Sequence, residues 1–234
     1  MTPGQSHHIK IAVADVFDDF VDTSVFLAPA NVQDLPVNTI GVFNSGAWYL
    51  DINGSMAWDG TPADLTYGFG GGLTGAVPVT GDWSGTGTTK IGVFDNGIWY
   101  LDLNGNGAWE GDPADRNCFF GVGLTGAVPV IGDWNGTGTT KIGVFLDGIW
   151  YLDLDGNGAW DGEPTDRIIS FGVGLAGASP ATGDWNGSGS TKVGIFADGF
   201  WYRDFDGNGA WDPAVDTISN FGTPGDIPVA GKWN

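Results

Sequence analysis

Short apolar stretches, each bounded by turn residues, follow one another along this chain. Between residues 128 and 173 they are Val128 to Trp134, Lys141 to Phe145, Ile149 to Leu154 and Arg167 to Val173. The stretches are rich in β-branched and aromatic residues, and Gly, Asn, Asp or Pro separates them, which is the pattern of β-strands joined by turns. The pattern therefore predicts an all-β protein.

The same pattern returns at a fixed interval. Gly81-Asp82-Trp83 recurs as Gly132-Asp133-Trp134 and as Gly183-Asp184-Trp185, each 51 residues after the previous copy, and a degenerate copy, Gly231-Lys232-Trp233-Asn234, ends the sequence. Four strands in a repeat of this length are typical of one blade of a β-propeller. We therefore expect residues 36–234 to form a four-bladed β-propeller of four-stranded repeats.

The two ends of the repeat array complement each other. Residues 38–73 lack the Gly-Asp-Trp strand, because Leu35-Pro36-Val37 leads almost directly into Ile40-Gly41-Val42-Phe43, and residues 227–234 supply only that strand. Pairing of the C-terminal strand with the first blade would close the ring and remove the exposed sheet edges of an open array. The alternative architecture is an open or domain-swapped array, in which this strand completes a neighbouring subunit.

Residues 1–35 lie outside the repeat, as an N-terminal extension and linker. Ile9 to Asp15 and Val21 to Leu27 are predicted to be the two strands of a β-hairpin around an acidic turn. A lone hairpin is marginal in water, so this one needs a surface to pack on.

The chain is strongly acidic, with 28 Asp and Glu residues against 8 Lys and Arg residues and a formal net charge of −20. Glu occurs only at Glu110 and Glu163, so the acid is nearly all Asp, which is a turn former and the short ligand of compact cation loops. Nucleic acid is not an expected partner, because no basic stripe is present to displace phosphate counterions. No apolar run approaches the length of a membrane span, so membrane insertion is not expected either.

An acidic loop follows the third predicted strand of each repeat. Oxygen-bearing side chains stand at its positions 1, 3, 5 and 9, Gly stands at position 6 in three copies, and a further Asp follows at position 13 or 14. This spacing matches the start of an EF-hand-type calcium loop, in which a tight Gly turn lets alternate oxygens converge on an ion that needs six to eight of them. The candidate ligands are Asp51, Asn53, Ser55, Asp59 and Asp64; Asp102, Asn104, Asn106, Glu110 and Asp115; Asp153, Asp155, Asn157, Asp161 and Asp166; and Asp204, Asp206, Asn208, Asp212 and Asp216.

The alternative interpretation is that these loops are plain hairpin turns held by Asx hydrogen bonds. Calcium is favoured because three or four clustered carboxylates would otherwise repel one another. The third and fourth loops are richest in Asp, whereas Ser55 and Met56 replace Asn and Gly in the first. We expect the ion to have a structural role.

A second loop of the same outline follows each Gly-Asp-Trp strand. In the copy from Asp133 to Lys141, Thr137 stands at position 5 and Lys141 at position 9. We expect these loops to be metal-free turns, in which Lys90, Lys141 and Lys192 pair with the nearby Asp.

Catalysis is not expected. The only histidines, His7 and His8, lie outside the repeat, which disfavours a Ser-His-Asp or Cys-His arrangement. The repeated Asp residues form equivalent sets, unlike the two carboxylates in distinct environments that glycoside hydrolysis needs. The single cysteine, Cys118, occupies the repeat position of Ile169 and is expected in the core.

The run Gly-Asp-Trp-Asn-Gly-x-Gly-x-x-Lys-Ile-Gly-Val-Phe, followed by Trp-Tyr-Leu-Asp-Leu-x-Gly-Asn-Gly-Ala-Trp, resembles the FG-GAP/VCBS-type propeller repeats of secreted bacterial and archaeal proteins. The resemblance covers residues 38–234, and it departs from the family where Thr replaces the usual acids of the Gly-Asp-Trp loop. His8 to Leu27 is similar to the last hairpin of the choice-of-anchor L domain of bacterial surface proteins. Both resemblances imply an extracellular or cell-surface setting, and neither implies catalysis.

These observations favour a non-catalytic, calcium-stabilised structural or adhesive surface module. Its expected partners are other copies of itself, through the N-terminal hairpin, or surface proteins and glycans. The alternatives are a glycan-binding, lectin-like propeller that uses Trp and Tyr faces, and an accessory domain of a secreted enzyme.

Overall fold

A computed structural model describes residues 39–231, which form fifteen β-strands and no helix, so the all-β prediction is confirmed. The hairpin predicted within residues 1–35 lies outside this part of the chain. Within the described range there is no helix that is long and apolar enough to cross a membrane. The described residues divide into two compact units, residues 39–42 with 49–66 and residues 43–48 with 67–231.

The strands form four sheets, and each sheet is built from strands that are consecutive in sequence and lie side by side in that order. The first sheet has three strands and each of the others has four. In order, the sheets are β1 (Gly41–Asn44), β2 (Ala47–Leu50) and β3 (Leu65–Gly68); β4 (Val77–Gly81), β5 (Lys90–Asp95), β6 (Ile98–Asp102) and β7 (Asp115–Cys118); β8 (Val128–Gly132), β9 (Lys141–Leu146), β10 (Ile149–Leu152) and β11 (Arg167–Ser170); and β12 (Ser179–Gly183), β13 (Lys192–Ala197), β14 (Phe200–Arg203) and β15 (Thr217–Asn220).

The third sheet shows how well the hydrophobic pattern locates the strands. Its four strands begin at the four residues predicted from the sequence, and they pair in antiparallel register, with Val144 of β9 between Pro129 of β8 and Tyr151 of β10. Three strands, β8, β10 and β11, end two or three residues earlier than predicted. For β8 and β10 the reason is that Asp133 and Asp153 begin loops in which their carboxylates accept backbone N–H groups.

Two-residue turns join the second and third strands of these sheets. In the third sheet, Asp147 and Gly148 have φ angles of 50° and 88°. Two successive positive φ values define the type I′ turn, whose twist suits an antiparallel hairpin and which Asp-Gly and Asn-Gly pairs favour. Asn96-Gly97 and Asp198-Gly199 make the same turn in the neighbouring sheets.

The core of the second unit lies between successive sheets. One cluster of buried side chains includes Phe120, after β7, and Val144 of β9, and another includes Phe171, after β11, and Ile195 of β13. The sheets approach closely at Gly121, where a Cβ would lie 2.9 Å from Cγ1 of Val144. Phe120 and Phe171, which share one repeat position, are therefore buried where their sheet meets the next one.

The ends of the array differ from its interior. Ile40 and Val42 are 60% and 64% exposed, whereas their repeat equivalents Ile91 and Val93 are buried. Beside them, an open groove is lined by apolar side chains that include Tyr49, Met56 and Trp58. Residues 227–231 form no strand, and residues 232–234 lie outside the described range. Closure of the first sheet by residues 227–234 therefore stays a prediction.

Replacement of Trp150 by Ala is expected to lower the free energy of unfolding by about 3–5 kcal/mol. Trp150 is fully buried, and its indole donates a hydrogen bond of 2.9 Å to the carbonyl of Phe171, so the substitution leaves both a cavity and a lone acceptor. Trp160, which is 41% exposed, is the matched control, and Trp160→Ala should cost about 1 kcal/mol. Urea unfolding measures both variants, and equal losses would contradict this account of the core.

Candidate metal centre

Each acidic loop joins the last two strands of its sheet. The third loop, residues 153–166, begins at Asp153. The N–H of Asp153 donates a hydrogen bond of 3.2 Å to the carbonyl of Ile142 on β9. This bond continues the strand pairing by one residue and holds Asp153 at the end of the sheet. The loop therefore starts from a rigid anchor.

Asp153 organises the third loop around its carboxylate. Its Oδ1 accepts the N–H of Gly156 at 2.7 Å and its Oδ2 accepts that of Gly158 at 2.9 Å. Both glycines have positive φ, 78° and 80°, which explains why Gly is needed at these positions. Asp155 and Asn157 continue the winding, since each accepts the N–H of the residue two positions further on, at 3.0 and 2.7 Å.

Three carboxylates converge in this loop. Asp153, Asp155 and Asp166 each offer an oxygen, and the three oxygens lie within 4.8 Å of one another. Asp153 and Asp166 are buried and Asp155 is exposed. Among residues 39–231, no Lys or Arg lies within ion-pair distance of these side chains. The cluster can accept a cation from solution.

The fourth loop repeats this arrangement with Asp204, Asp206 and Asp216, of which the first and last are buried. Asp204 accepts the N–H groups of Gly207 and Gly209, both at 2.9 Å. Asn208, which was also predicted as a ligand, accepts the N–H of Ala210 at 2.7 Å through its side-chain oxygen.

The last Asp of each loop ties its two ends together. In the third loop, Asp166 accepts the N–H of Leu154 at 3.1 Å and that of Asp161 at 2.7 Å. In the fourth, Asp216 accepts from Phe205 and from Asp212, both at 2.8 Å. These residues, predicted as the final ligands, do join the clusters.

The acids at position 9 do not belong to either carboxylate cluster. Asp161 accepts a hydrogen bond from the side-chain amide of Asn157, and Asp212 accepts the N–H of Ala214 at 2.9 Å. The structure thus brings together positions 1, 3 and 13 or 14 of the predicted set and leaves position 9 at the exposed rim.

The first and second loops have no carboxylate triad, because Asn53 and Asn104 stand at position 3. Both nevertheless contain an unpaired buried oxygen, since Oδ1 of Asp64 and Oδ1 of Asp115 have no hydrogen-bond partner. A buried acceptor without a partner costs about 1–3 kcal/mol, and a bound cation would remove that cost. The donor set of these loops therefore also fits a metal ion.

Local contacts in these two loops account for the other predicted residues. Asn104 and Asn106 donate their amides to Glu110 at 2.7 and 2.8 Å, and Asp102 accepts the N–H groups of Gly105 and Gly107.

In the first loop, Asn53 and Ser55 donate to Asp59 at 3.0 and 2.6 Å, while Asp51 accepts the N–H of Met56 at 2.9 Å. Met56 adopts a φ of 61°, the left-handed conformation that Gly has at this position in the other loops. The first loop therefore keeps the same fold with a strained residue in place of the turn glycine.

Burial raises the pKa of Asp153 and of Asp204, each to about 6. The nearby charges of Asp166 and Asp216 contribute to this rise in pKa, and the glycine N–H groups oppose it. The carboxylates are therefore held together at an electrostatic cost, which a bound divalent cation would offset.

Contacts from the preceding sheet also hold these loops, and the sequence reasoning missed them. Arg116 on β7 donates a hydrogen bond of 3.2 Å to the carbonyl of Gly156. Arg167 on β11 donates a hydrogen bond of 3.0 Å to the carbonyl of Gly207 and another to the carbonyl of Asn208. The available signal was that two of the few basic residues, Arg116 and Arg167, share one repeat position. Cys118, buried as expected, packs against Gly158, and burial raises the pKa of its thiol to about 11.

The Gly-Asp-Trp loops contain the predicted Lys–Asp pairs. The ammonium groups of Lys90, Lys141 and Lys192 lie 3.5, 3.3 and 3.2 Å from the carboxylates of Asp82, Asp133 and Asp184. All three lysines are buried.

Comparison of the chain with protein families, with curated proteins and with solved structures gives no match. Inference about function therefore rests on the residues and geometry above.

Without metal, the protein is expected to become more stable as the pH falls from about 7 to about 5. Asp153 and Asp204 have folded-state pKa values of about 6, above the ordinary value of 3.8, so the folded protein takes up these protons first. Their contribution is fully present below the unfolded-state pKa and is lost as the pH rises through about 6.

Urea unfolding with a chelator, at a series of pH values, measures this slope. The variant Asp153→Asn with Asp204→Asn mimics the protonated groups and should flatten it. The same slope in the variant and the unaltered protein would show that these carboxyls do not cause it.

Proposed function

We propose that the protein is a non-catalytic, calcium-stabilised β-propeller that acts as a structural or adhesive module at the cell surface or outside the cell. The observation that carries the proposal is the pair of partly buried Asp clusters in the third and fourth loops. Each holds three carboxylates close together, and no Lys or Arg of the described residues makes an ion pair with them, an arrangement that a divalent cation would stabilise.

The ligand chemistry favours calcium among the divalent ions. The loops offer only oxygen atoms, from Asp, Asn, Ser, Glu and backbone carbonyls, which suits a hard cation. A wound loop with many candidate oxygens suits the six to eight ligands and flexible geometry of Ca²⁺ better than the strict octahedron of Mg²⁺. The unpaired oxygens of Asp64 and Asp115 support weaker sites in the first and second loops.

The repeated sheets support a propeller. The second, third and fourth sheets have one strand order, and β8 contacts both β4 and β12, as the inner strands of successive blades would. We infer that residues 227–234 complete the first sheet as its missing strand. In the second sheet, the indole of Trp83 donates a hydrogen bond of 3.1 Å to the carbonyl of Ile91. Trp233 is the equivalent residue of the last copy, so the same side chain is available to a strand formed by residues 227–234.

The proposed role follows from this stable scaffold and from the resemblance to FG-GAP/VCBS-type repeats. Extracellular calcium modules typically bind at about 10⁻⁴–10⁻³ M, a range in which the ion is a structural component. The partners we propose are other copies of the chain, through residues 1–35, or other surface proteins.

Glycan binding is a second candidate function, because half-exposed tryptophans recur along the chain. Trp109, Trp160 and Trp211 each lie edge-on to a Tyr of their own sheet, at ring-centroid distances of 5.4, 5.8 and 5.8 Å, and each remains partly open to solvent. Such rings offer a face on which a sugar could stack.

Removal of calcium is expected to lower the melting temperature, and added calcium should restore it by mass action. The variant Asp166→Asn with Asp216→Asn removes one carboxylate from each cluster and should reduce the recovery. Asp147→Asn is the matched control, because Asp147 lies in a hairpin turn away from the loops. Calorimetry with and without chelator measures all three proteins. Identical melts of the unaltered protein would remove the calcium proposal.

Binding of a sugar to the exposed tryptophans is expected to change their fluorescence, and Trp160→Ala should reduce that change. Trp150→Phe is the control, because Trp150 is fully buried and cannot contact a ligand. A glycan array followed by fluorescence titration tests this second candidate, and no response to any sugar would dismiss it.

A further inference from the structure

The Gly-Asp-Trp loops have the outline of the acidic loops. In the loop from Asp133 to Lys141, the first Asp accepts the N–H of Thr137 at 2.9 Å and that of Gly138 at 2.6 Å. Gly138 stands at position 6 and has a φ of 84°, like Gly158 in the third acidic loop. The same winding is thus built with a single carboxylate.

The ammonium group of Lys141 sits where the oxygens of this loop converge. Its Nζ lies 3.3 Å from Oδ1 of Asp133, 2.6 Å from Oδ1 of Asn135, 2.7 Å from Oγ1 of Thr137 and 3.2 Å from the carbonyl of Thr139. These residues are positions 1, 3, 5 and 7, from which an EF-hand-type loop draws its first ligands, and position 7 contributes a carbonyl in both cases.

The other two copies show the same arrangement. Lys90 donates to Ser84 and Thr86, both at 2.8 Å, and to the carbonyl of Thr88 at 3.3 Å. Lys192 donates to Ser188 at 2.6 Å and to the carbonyl of Ser190 at 3.1 Å. The side chains at positions 3 and 5 differ among the three copies, and the ammonium group nevertheless lies at the same place in each loop.

We propose that the Gly-Asp-Trp loops are cation-binding loops whose cation is the chain's own lysine ammonium, and that a carboxylate in place of the lysine would turn each loop into a site for a divalent cation such as calcium. In the native protein the Gly-Asp-Trp loops therefore hold a cation that belongs to the chain, whereas the acidic loops leave their carboxylates open to a cation from solution. This inference does not depend on calcium binding by the acidic loops.

The charge of each Gly-Asp-Trp loop matches that of the ammonium group it holds. Asp133 is the only carboxylate in its loop, and one ammonium group neutralises it. Burial alone would raise the pKa of Asp133, but the N–H groups of Gly138 and Thr137 and the ammonium of Lys141 outweigh burial and lower it. The third acidic loop, with four Asp residues, needs at least a divalent ion for the same balance.

The Gly-Asp-Trp loops, or lysine loops, also join neighbouring sheets. The N–H of Asp133 donates a hydrogen bond of 3.0 Å to Oγ1 of Thr191, and the N–H of Thr191 donates one of 2.8 Å to the carbonyl of Asp133. Asp82 and Thr140 make the same two bonds one repeat earlier, both at 3.0 Å. Since the ammonium is always present, these joints should persist when calcium is removed.

The substitution Lys141→Asp tests the proposal by replacing the ammonium group with a carboxylate at position 9 of the loop. We expect this variant to bind one more calcium ion per chain than the unaltered protein in native mass spectrometry. Its melting temperature in chelator should fall, and calcium should restore it. Lys141→Met, which removes the charge and supplies no oxygen, is the matched control and should melt lower at any calcium concentration.

Hydrogen exchange tests the unaltered protein directly. Chelation should speed exchange at the Gly158 and Gly209 amides, which the acidic loops hold, and leave the Gly138 and Gly189 amides unchanged. Equal acceleration at all four amides would overturn the proposal. So would a Lys141→Asp chain that binds no extra calcium or stays unfolded with calcium in excess. If calcium changes neither the melting temperature nor the hydrogen exchange of the unaltered protein, the acidic-loop proposal fails. The number of calcium ions bound by Lys141→Asp, compared with the unaltered chain, still decides the proposal for the Gly-Asp-Trp loops.

Discussion

Each repeat depends on buried aspartates at the ends of its strands. Asp153 shows the constraint most clearly, because its carboxylate is buried and holds the N–H groups of Gly156 and Gly158 in the turn. A buried charge is tolerated only when hydrogen bonds and an opposite charge compensate for lost hydration. The backbone supplies the hydrogen bonds in every loop, whereas among the described residues only the aspartates of the Gly-Asp-Trp loops also have a lysine within ion-pair distance.

The loops matter beyond their own repeat because neighbouring sheets are bonded to them. Arg116 reaches the carbonyl of Gly156 in the next acidic loop, and Thr191 exchanges two hydrogen bonds with Asp133 in the lysine loop of the sheet before it. A loop that loses its winding would release these contacts and open the joint in which Phe120 and Phe171 are buried. The conformation of the loops and the packing of the core are therefore coupled through these hydrogen bonds.

Local pattern was enough to predict the strands and the Lys–Asp pairs. The strands follow from alternating β-formers between turn residues, and the pair of Lys141 with Asp133 follows from opposite charges eight positions apart in one tight loop. The contacts of Arg116 and Arg167 with the next loop were not predictable in this way, because they depend on how two sheets meet. The place of Asp161 outside the cluster was missed for a related reason, since ligand spacing gives the order of the oxygens along the loop but not the direction of each side chain.

Duplication copied one loop design through the chain, and small substitutions then set the charge of each copy. At position 3, Asp155 and Asp206 complete a carboxylate cluster, whereas Asn53 and Asn104 leave a loop with less charge and an unpaired buried oxygen. Reduced charge lowers the repulsion that a cation would relieve, and it also lowers the attraction for that cation. The lysine loops are the far end of this series, because there the cation is covalently part of the chain. All of these loops have positive φ at positions 4 and 6, so they share one turn, and they differ in the charge of a few side chains at fixed positions along it.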